Sequence, residues 1–192
     1  MITLTKDKLR EIFPNVKPTK SELYANAFND VFPQFEINTE KRIAAFLGQI
    51  AVESGELKYD KELPSKYNKA NISDPLEPTG TLYEGRKQLG NTQVGDGPKY
   101  IGRGILQLTG RANYENMSKK LGIDLINNPE LACDPVVSTK IACQYFKDRD
   151  LLTLADKWDI EKITEKVNGK LKLHLDLRKA YSERALKVLN AQ

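Results

Sequence analysis

The chain has few of the residues on which metal and redox sites depend. It holds one histidine, His174, among 192 residues, whereas a zinc motif of the HExxH type needs two. Its two cysteines, Cys133 and Cys143, lie ten residues apart around a predicted helix, with no histidine at a metal-ligand spacing. We therefore expect two buried free thiols, no metal site and no cofactor.

Long apolar runs are also absent. No stretch of about 18 apolar residues occurs, and the first residues, Met-Ile-Thr-Leu-Thr-Lys-Asp, lack the charged and then apolar layout of a signal peptide. We expect synthesis in the cytoplasm, no stable membrane insertion and no export by the signal-peptide route. The GxxxxGK[ST] pattern of a phosphate-binding loop is missing as well. The net charge of +4 suits an anionic surface but is too small to indicate a nucleic-acid partner.

The composition that is present is that of a globular protein, with 40% hydrophobic and 29% charged residues. The length allows one well-buried core, and no change in composition marks a second domain, so we expect a single domain over residues 1–192. Apolar spacing predicts a mainly α fold, with Ser21 and Thr39 as the N-caps of the second and third helices. The predicted helices cover about residues 5–13, 21–31, 39–54, 109–121, 134–145, 159–168 and 176–190.

Two segments outside these helices are typical of a functional site. Proline and glycine interrupt residues 56–98, and loops of that length inside a compact domain usually line a binding site. Residues 102–110 have the alternation of a short strand, which sends Gln107 and Thr109 to one face and the two neighbouring leucines to the other. We predict a small, irregular β element that presents two polar side chains together. Polar residues at a sheet edge, without a role in a site, are the alternative.

The third predicted helix carries a carboxylate on its apolar face. Glu53 lies three residues after Ile50 and seven after Phe46, which is the spacing of the buried stripe. Loss of hydration and the negative end of the helix dipole both raise the pKa of a lone carboxylate in this position. Such a group is a proton donor near neutral pH. The alternative is a boundary glutamate that extends to solvent just before Gly55.

A second carboxylate, Glu62, follows nine residues later at the start of the long loop. Glycoside hydrolysis requires two carboxyl groups in different settings, one protonated and one ionised. Glu53 and Glu62 fit these two roles. Asp60 and Glu56 compete with Glu62 for the second role, and a solvated surface charge is the common fate of any glutamate.

Four motifs, in this order along the chain, resemble glycoside hydrolase family 19. They are FLGQIAVESG at 46–55, YEGRKQLGNT at 83–92, GDGPKYIGRGILQLTGRANY at 95–114 and ITEKVNG at 163–169. The short loops and the lack of a chitin-binding module or signal peptide make the bacteriophage endolysin branch more similar than plant chitinases. The resemblance implies a lysozyme-like helical domain with long cleft loops, no separate cell-wall-binding module, and catalysis by inversion.

The same resemblance implies roles for individual residues. It makes Glu53 the general acid and Glu62 the base, with Val52 where many members have histidine. It assigns the other matched polar residues to sugar binding or to holding the attacking water: Gln107, Thr109, Asn113, Asn168 and Arg178. Two alternatives stay open, which are Asn168 as a helix C-terminal residue and Arg178 as an ion-pair partner of Glu53 or Glu62.

Together these expectations describe an inverting peptidoglycan hydrolase. Glu53 protonates the leaving oxygen of a β-1,4 bond and Glu62 activates water, which requires a carboxyl separation of about 6.5–9.5 Å. A chitinase on the same site, a lytic transglycosylase with one carboxylate and a non-catalytic glycan-binding protein are the alternatives. The resemblance also implies a monomer that acts on peptidoglycan strands in the periplasm, after a holin-type pore has opened the host membrane.

Overall fold

The structure, a computed structural model, describes residues 2–191, and these form mainly helices. The helices of this part of the chain are α1 (Lys6–Ile12), α2 (Pro18–Val31), α3 (Glu40–Glu53), α4 (Asp96–Lys99), α5 (Arg111–Leu121), α6 (Pro135–Asp148), α7 (Leu151–Asp156), α8 (Ile160–Asn168) and α9 (Leu175–Asn190). Within the same residues, β structure is limited to two isolated antiparallel bridges, which join Arg103 to Lys61 and to Leu108. No helix among them is both long enough and apolar enough to cross a membrane.

The described chain forms two compact units. The first combines the chain up to Lys58 with the chain from Ala142 onward, and it contains α1 to α3 and α7 to α9. The second is Tyr59–Ile141, which contains α4, α5 and most of the irregular segments. Helix α6 includes the boundary. The expectation of a single domain stays a prediction.

The core of the first unit is aromatic and centres on α3. The ring of Phe46 lies 5.1 Å from that of Phe32 and 4.9 Å from that of Phe146, and all three side chains are buried. Burial of one such side chain contributes about 1.5–3 kcal/mol. Helix α9 approaches α3 closely, because a Cβ built on Gly48 would lie 1.9 Å from Oγ of Ser182. The last turns of α3 are therefore packed directly against α9.

The second unit relies on polar contacts where regular elements are missing. Asp96 is 1% exposed and accepts hydrogen bonds from the backbone N–H groups of Thr92 and Gln93 and from the guanidinium of Arg111. The bond from Arg111 lowers the pKa of Asp96, so the pair stays ionised at neutral pH. These bonds fix a glycine-rich and proline-rich segment that cannot form a long helix.

The predicted helices are largely confirmed, with one wrong cap. Thr39 is the N-cap of α3 and accepts the N–H of Arg42 at 3.3 Å. Helix α2 begins at Pro18 rather than at Ser21, because proline at the first turn has a backbone angle already suited to the helix. Ser21 is buried and donates its hydroxyl to the carbonyl of Pro18 at 2.8 Å.

The predicted strand over residues 102–110 is wrong. Arg103 and Leu108 exchange both backbone hydrogen bonds, at 3.2 and 2.8 Å, and this closes a tight loop. Gln107 lies inside that loop with φ +52°, in the left-handed region, and its N–H donates to the carbonyl of Gly104 at 3.0 Å. Alternation of polar and apolar residues does not reveal such a turn, because the turn depends on the backbone freedom of Gly104 (φ +75°).

The two cysteines are free thiols, as predicted. Burial is confirmed for Cys143 and wrong for Cys133, which is half-buried because it lies beside Asp60, to whose carbonyl it donates at 3.2 Å. Burial raises the pKa of both thiols, which keeps them protonated at neutral pH.

Candidate active site

Glu53 is the last residue of α3, and its side chain is held by a cation. Its Oε1 accepts a hydrogen bond of 2.7 Å from Nη2 of Arg178, and the side chain is 22% exposed. Among residues 2–191, Oε2 has no hydrogen-bond partner. The premise of a lone carboxylate is therefore wrong, because Glu53 is paired with a guanidinium from α9. The spacing within α3 cannot show a partner that lies 125 residues away.

Arg178 is itself fixed by contacts with α3 and with the loop that precedes α9. It is 1% exposed, its Nη1 donates to Oε1 of Gln49 at 2.9 Å, and its Nε donates to the carbonyl of Leu173 at 3.1 Å. The amide of Gln49 in turn donates to the hydroxyl of Thr164 at 3.1 Å. A buried guanidinium whose three nitrogens each donate a hydrogen bond is a rigid donor. The alternative that Arg178 forms an ion pair with Glu53 is confirmed, and a contact with sugar stays a prediction.

Glu62 is held by neutral donors. Its Oε1 accepts hydrogen bonds from the hydroxyl of Tyr83 at 2.5 Å and from Nδ2 of Asn68 at 2.8 Å, and its Oε2 accepts the N–H of Gly102 at 3.0 Å. The backbone N–H of Glu62 donates to the carbonyl of the same glycine at 2.8 Å. Three donors directed at two oxygens keep the carboxylate in place as an acceptor.

The hydroxyl of Tyr83 stays protonated and therefore remains a hydrogen-bond donor to this carboxylate. Burial, followed by the hydrogen bond to Glu62, raises the pKa of Tyr83 above its ordinary value. The phenol therefore keeps its proton across the pH range in which a carboxylate base works. Arg86 lies over the Tyr83 ring at 5.2 Å and opposes this shift.

Two of the predicted site residues lie together with Glu62. A Cβ built on Gly102 would lie 2.7 Å from Oε1 of Gln107, 3.2 Å from Oγ1 of Thr109 and 3.3 Å from Oε2 of Glu62. The hydroxyl of Thr109 donates to the carbonyl of Gln107 at 2.8 Å. Glycine at position 102 leaves the space around which these three oxygens gather. The turn, and not the alternation of a strand, brings the two polar side chains together.

A pocket of about 450 Å³ opens beside Glu62 within the second unit. Its charged lining consists of three cations and two carboxylates, which are Lys61, Lys99, Arg103, Glu62 and Glu130. Arg103 is 3% exposed and donates to Glu130 at 2.6 Å, and Lys61 lies 3.3 Å from the same carboxylate. Lys99 is exposed, and its ammonium lies 5.3 Å from the Tyr100 ring. The lining therefore carries a small positive excess next to Glu62.

The two predicted asparagines make local backbone contacts. Asn113 is exposed in the first turn of α5 and donates to the carbonyl of Thr109 at 2.7 Å. Asn168 ends α8, and its Oδ1 accepts the N–H of Leu173 at 2.8 Å. The reading of Asn168 as a helix C-terminal residue is thus confirmed. Sugar binding by either residue stays a prediction.

Three contributors to these surroundings were not predicted from the sequence. Gln49 lies in the same motif as Glu53 and could have been noticed as a polar residue on a buried face. Asn68 has no sequence signal, because it reaches Glu62 through a non-repetitive loop. Gly102 directly follows a hydrophobic residue and is not part of a recognisable turn pattern. A glycine in such a position could have been noticed for that reason. Among the described residues, no three His, Cys, Asp or Glu side chains are placed to share a metal ion.

Solved structures show which fold these elements form. The chain matches chitinase C from Streptomyces griseus HUT6037 with a TM-score of 0.71, at 19% identity over 98% of this chain and 77% of that one. It matches a bacterial family 19 chitinase with a TM-score of 0.69, at 23% identity over 99% and 96% of the two chains. The fold is therefore the lysozyme-like helical fold of the family 19 enzymes, as predicted.

Sequence comparisons identify the family. The family described as "Chitinase class I" matches residues 23–151. A "Glycosyl hydrolase family 19 domain-containing protein" of Haemophilus influenzae is 31% identical over 80% of this chain and 86% of its own length. Endochitinase A2 of Pisum sativum is 30% identical over 64% of this chain but only 37% of its own length.

The class that this fold and these carboxyl groups define is that of glycoside hydrolases, which cleave glycosidic bonds with a pair of Asp or Glu residues. The chain belongs to glycoside hydrolase family 19. The activity predicted from the sequence, hydrolysis of glycosidic bonds, is confirmed at this level.

Proposed function

We propose that the chain is a peptidoglycan hydrolase of the endolysin type, which cleaves the β-1,4 bond between N-acetylated sugars by inversion. The observation that carries the choice of substrate is the positive excess in the pocket beside Glu62, with Lys61, Lys99 and Arg103 in its lining. Peptidoglycan bears the carboxylates of its stem peptides, whereas chitin is uncharged. Opposite charge favours the anionic polymer.

In the proposed reaction, Glu53 donates its proton to the leaving oxygen. Arg178 occupies Oε1 of Glu53 and leaves Oε2 to carry the proton. Glu62 accepts the proton of the attacking water, and the donors Tyr83 and Asn68 hold its Oε1 so that the carboxylate does not rotate. Thr109 and Gln107 lie close enough to Glu62 to help position that water. Inversion follows because water, not an enzyme carboxylate, attacks the anomeric carbon.

The decisive experiment is mass spectrometry of purified peptidoglycan after digestion. A new reducing end on N-acetylmuramic acid supports a muramidase, and one on N-acetylglucosamine a glucosaminidase. An anhydro end indicates a lytic transglycosylase and contradicts the proposal, and undigested polymer that binds the protein indicates a glycan-binding protein. Proton NMR of the first anomer released distinguishes inversion from retention.

Two lysine substitutions test the role of charge. Lys99→Ala should lower turnover on peptidoglycan several-fold and leave turnover on an N-acetylglucosamine hexamer unchanged, because only the first substrate carries carboxylates. Lys119→Ala, which removes an exposed lysine from α5 in the same unit, is the matched control. An equal effect of Lys99→Ala on both substrates would contradict the role of charge.

Chitin is the second candidate substrate. The pea relative and the solved structures are named as chitinases, and both polymers present N-acetylated sugars. Turnover by the wild-type protein that is much faster on the N-acetylglucosamine hexamer than on peptidoglycan would favour chitin as the substrate.

We also propose that the protein acts as a monomer in the periplasm, reached through a holin-type pore. This part of the proposal rests on the resemblance to the endolysin branch. It predicts that cells expressing the protein lyse only when the inner membrane is permeabilised.

A further inference from the structure

The chain leaves α3 through three consecutive residues in the left-handed region. Gly55, Glu56 and Leu57 have φ values of +58°, +57° and +65°. Glycine adopts this conformation freely, but the two side-chain residues are strained there. Such strain persists only where the surroundings impose it, and it occurs often at functional sites. The strained turn begins two residues after Glu53.

Glu56 binds this turn to two other segments of the same unit. It is 6% exposed, and its carboxylate accepts hydrogen bonds from the backbone N–H of Asn15 at 2.6 Å, from Nδ2 of Asn15 at 2.8 Å and from the hydroxyl of Tyr181. Burial and the bond to Glu56 raise the pKa of Tyr181 to about 12. The phenol therefore remains a donor throughout the working range.

Helix α9 provides a hydrogen-bond donor to both Glu53 and Glu56. Tyr181 lies three residues after Arg178 on α9, so Glu56 and Glu53 are held by neighbouring positions on one helix face. Ser54 connects the two, since its hydroxyl donates to the carbonyl of Ile50 at 2.7 Å and accepts the N–H of Leu57 at 2.8 Å. Helix ends fray unless they are fixed, and Glu53 is the last residue of its helix.

We infer that Glu56 is a positioning residue, whose buried carboxylate fixes the strained turn through Tyr181 and Asn15 and thereby keeps the carboxyl of Glu53 aligned with Arg178. This inference rests on the proposed role of Glu53 as general acid. Its chemistry is distinct from that of the acid, because Glu56 exchanges no proton with the substrate. A positioning role also explains why glutamate is present at position 56, where the left-handed backbone conformation would be less strained for glycine.

The test uses three variants, which are Glu56→Gln, Tyr181→Phe and the double variant that combines these two changes. Asp156→Asn is the control. Asp156 forms an ion pair of 2.7 Å with Arg42 in the first turns of α3, so the control weakens the same helix far from Glu53. Four quantities are measured: kcat and KM on peptidoglycan and on the N-acetylglucosamine hexamer, the thermal midpoint, and amide hydrogen exchange over residues 50–58.

We expect both single variants to lower kcat about 10- to 100-fold while KM stays within about twofold. The double variant should lose no more than the larger single loss, because both changes break one linkage. Exchange should rise at residues 54–57, whereas Asp156→Asn should lower the midpoint and leave kcat unchanged. A kcat of Glu56→Gln close to wild type, or a loss of kcat in Asp156→Asn that matches the other variants, would overturn the inference.

The exchange measurement separates failure of this inference from failure of the proposed function. If wild-type protein cleaves neither polymer, the proposed substrate is wrong. The effect of Glu56→Gln on exchange then decides, because faster exchange confined to residues 54–57 supports the fixed turn and unchanged exchange overturns it.

Discussion

Glu53 and Glu62 are carboxylates of the same chain that are held in opposite ways. Glu53 ends a regular helix and is bound by one buried cation, Arg178. Glu62 lies in an irregular segment and is bound by three uncharged donors, two from side chains and one from the backbone of Gly102. A cation acts on the charge of its partner, whereas neutral donors mainly fix its orientation. The proposed function gives the two groups separate tasks, proton donation for Glu53 and proton acceptance for Glu62.

The largest effect is expected at Glu53. Glu53→Gln should lower cleavage about 10²- to 10⁴-fold, because the amide cannot protonate the leaving group. The fold should survive, since the amide oxygen can still accept the bond from Arg178. Release of reducing ends from peptidoglycan measures the loss, and Glu183→Gln, at an exposed position on α9, is the control. Activity near that of wild type would remove Glu53 from the mechanism.

Glu62→Gln tests the other half of the comparison. We expect a loss of about 10²-fold or more, because the amide is a poor base and turns an NH₂ toward one of the three donors. Glu115→Gln, with a side chain 45% exposed on α5, is the suitable control. Glu56→Gln is unsuitable as a neutral control, because Glu56 is buried. A loss no greater than that of Asp60→Asn would mean that another carboxylate is the base.

A smaller effect is expected when one neutral donor is removed. Tyr83→Phe deletes the hydroxyl that binds Oε1 of Glu62, and a hydrogen bond to a charged group contributes about 1.5–3 kcal/mol. We expect about a tenfold loss of kcat. Because the pKa of Tyr83 is raised, wild-type activity should show no alkaline limb from this phenol below pH ~10. An alkaline limb that disappears in Tyr83→Phe would contradict this.

The smallest effect is expected at Thr109. Thr109→Val keeps the volume and removes the hydroxyl near Glu62, so turnover should fall a few-fold. The same hydroxyl donates a hydrogen bond to the carbonyl of Gln107. Loss of this hydrogen bond should lower the free energy of unfolding by about 1 kcal/mol. Urea unfolding and turnover measured on the same preparation separate the two effects. Full activity with reduced stability would show that Thr109 serves the turn alone.

The same two regions show what a sequence can predict. Helix α3, its cap at Thr39 and the position of Glu53 on its last turn follow from spacing within one segment. The ion pair with Arg178 does not, because it joins residues from opposite parts of the chain, and it was only the alternative to the sugar contact that the family resemblance implied. Local periodicity contains no information about such partners.

Around Glu62 the sequence predicted the residues but not their arrangement. The motif at 95–114 contains Gln107 and Thr109, which do lie near Glu62. Their predicted strand is a turn, because Gly104 and Gln107 take left-handed backbone angles that alternation does not reveal. Asn68 was missed for a similar reason, since loop geometry and not a repeat brings it to the carboxylate.

The contact between Arg178 and Glu53 also bears on the order in which the protein is made. Arg178 follows Glu53 by 125 residues, and at about 5–20 residues per second the ribosome adds it about 6–25 s later. Throughout that interval the carboxylate exists without the cation that holds it. A growing chain therefore cannot form this ion pair until synthesis has reached α9.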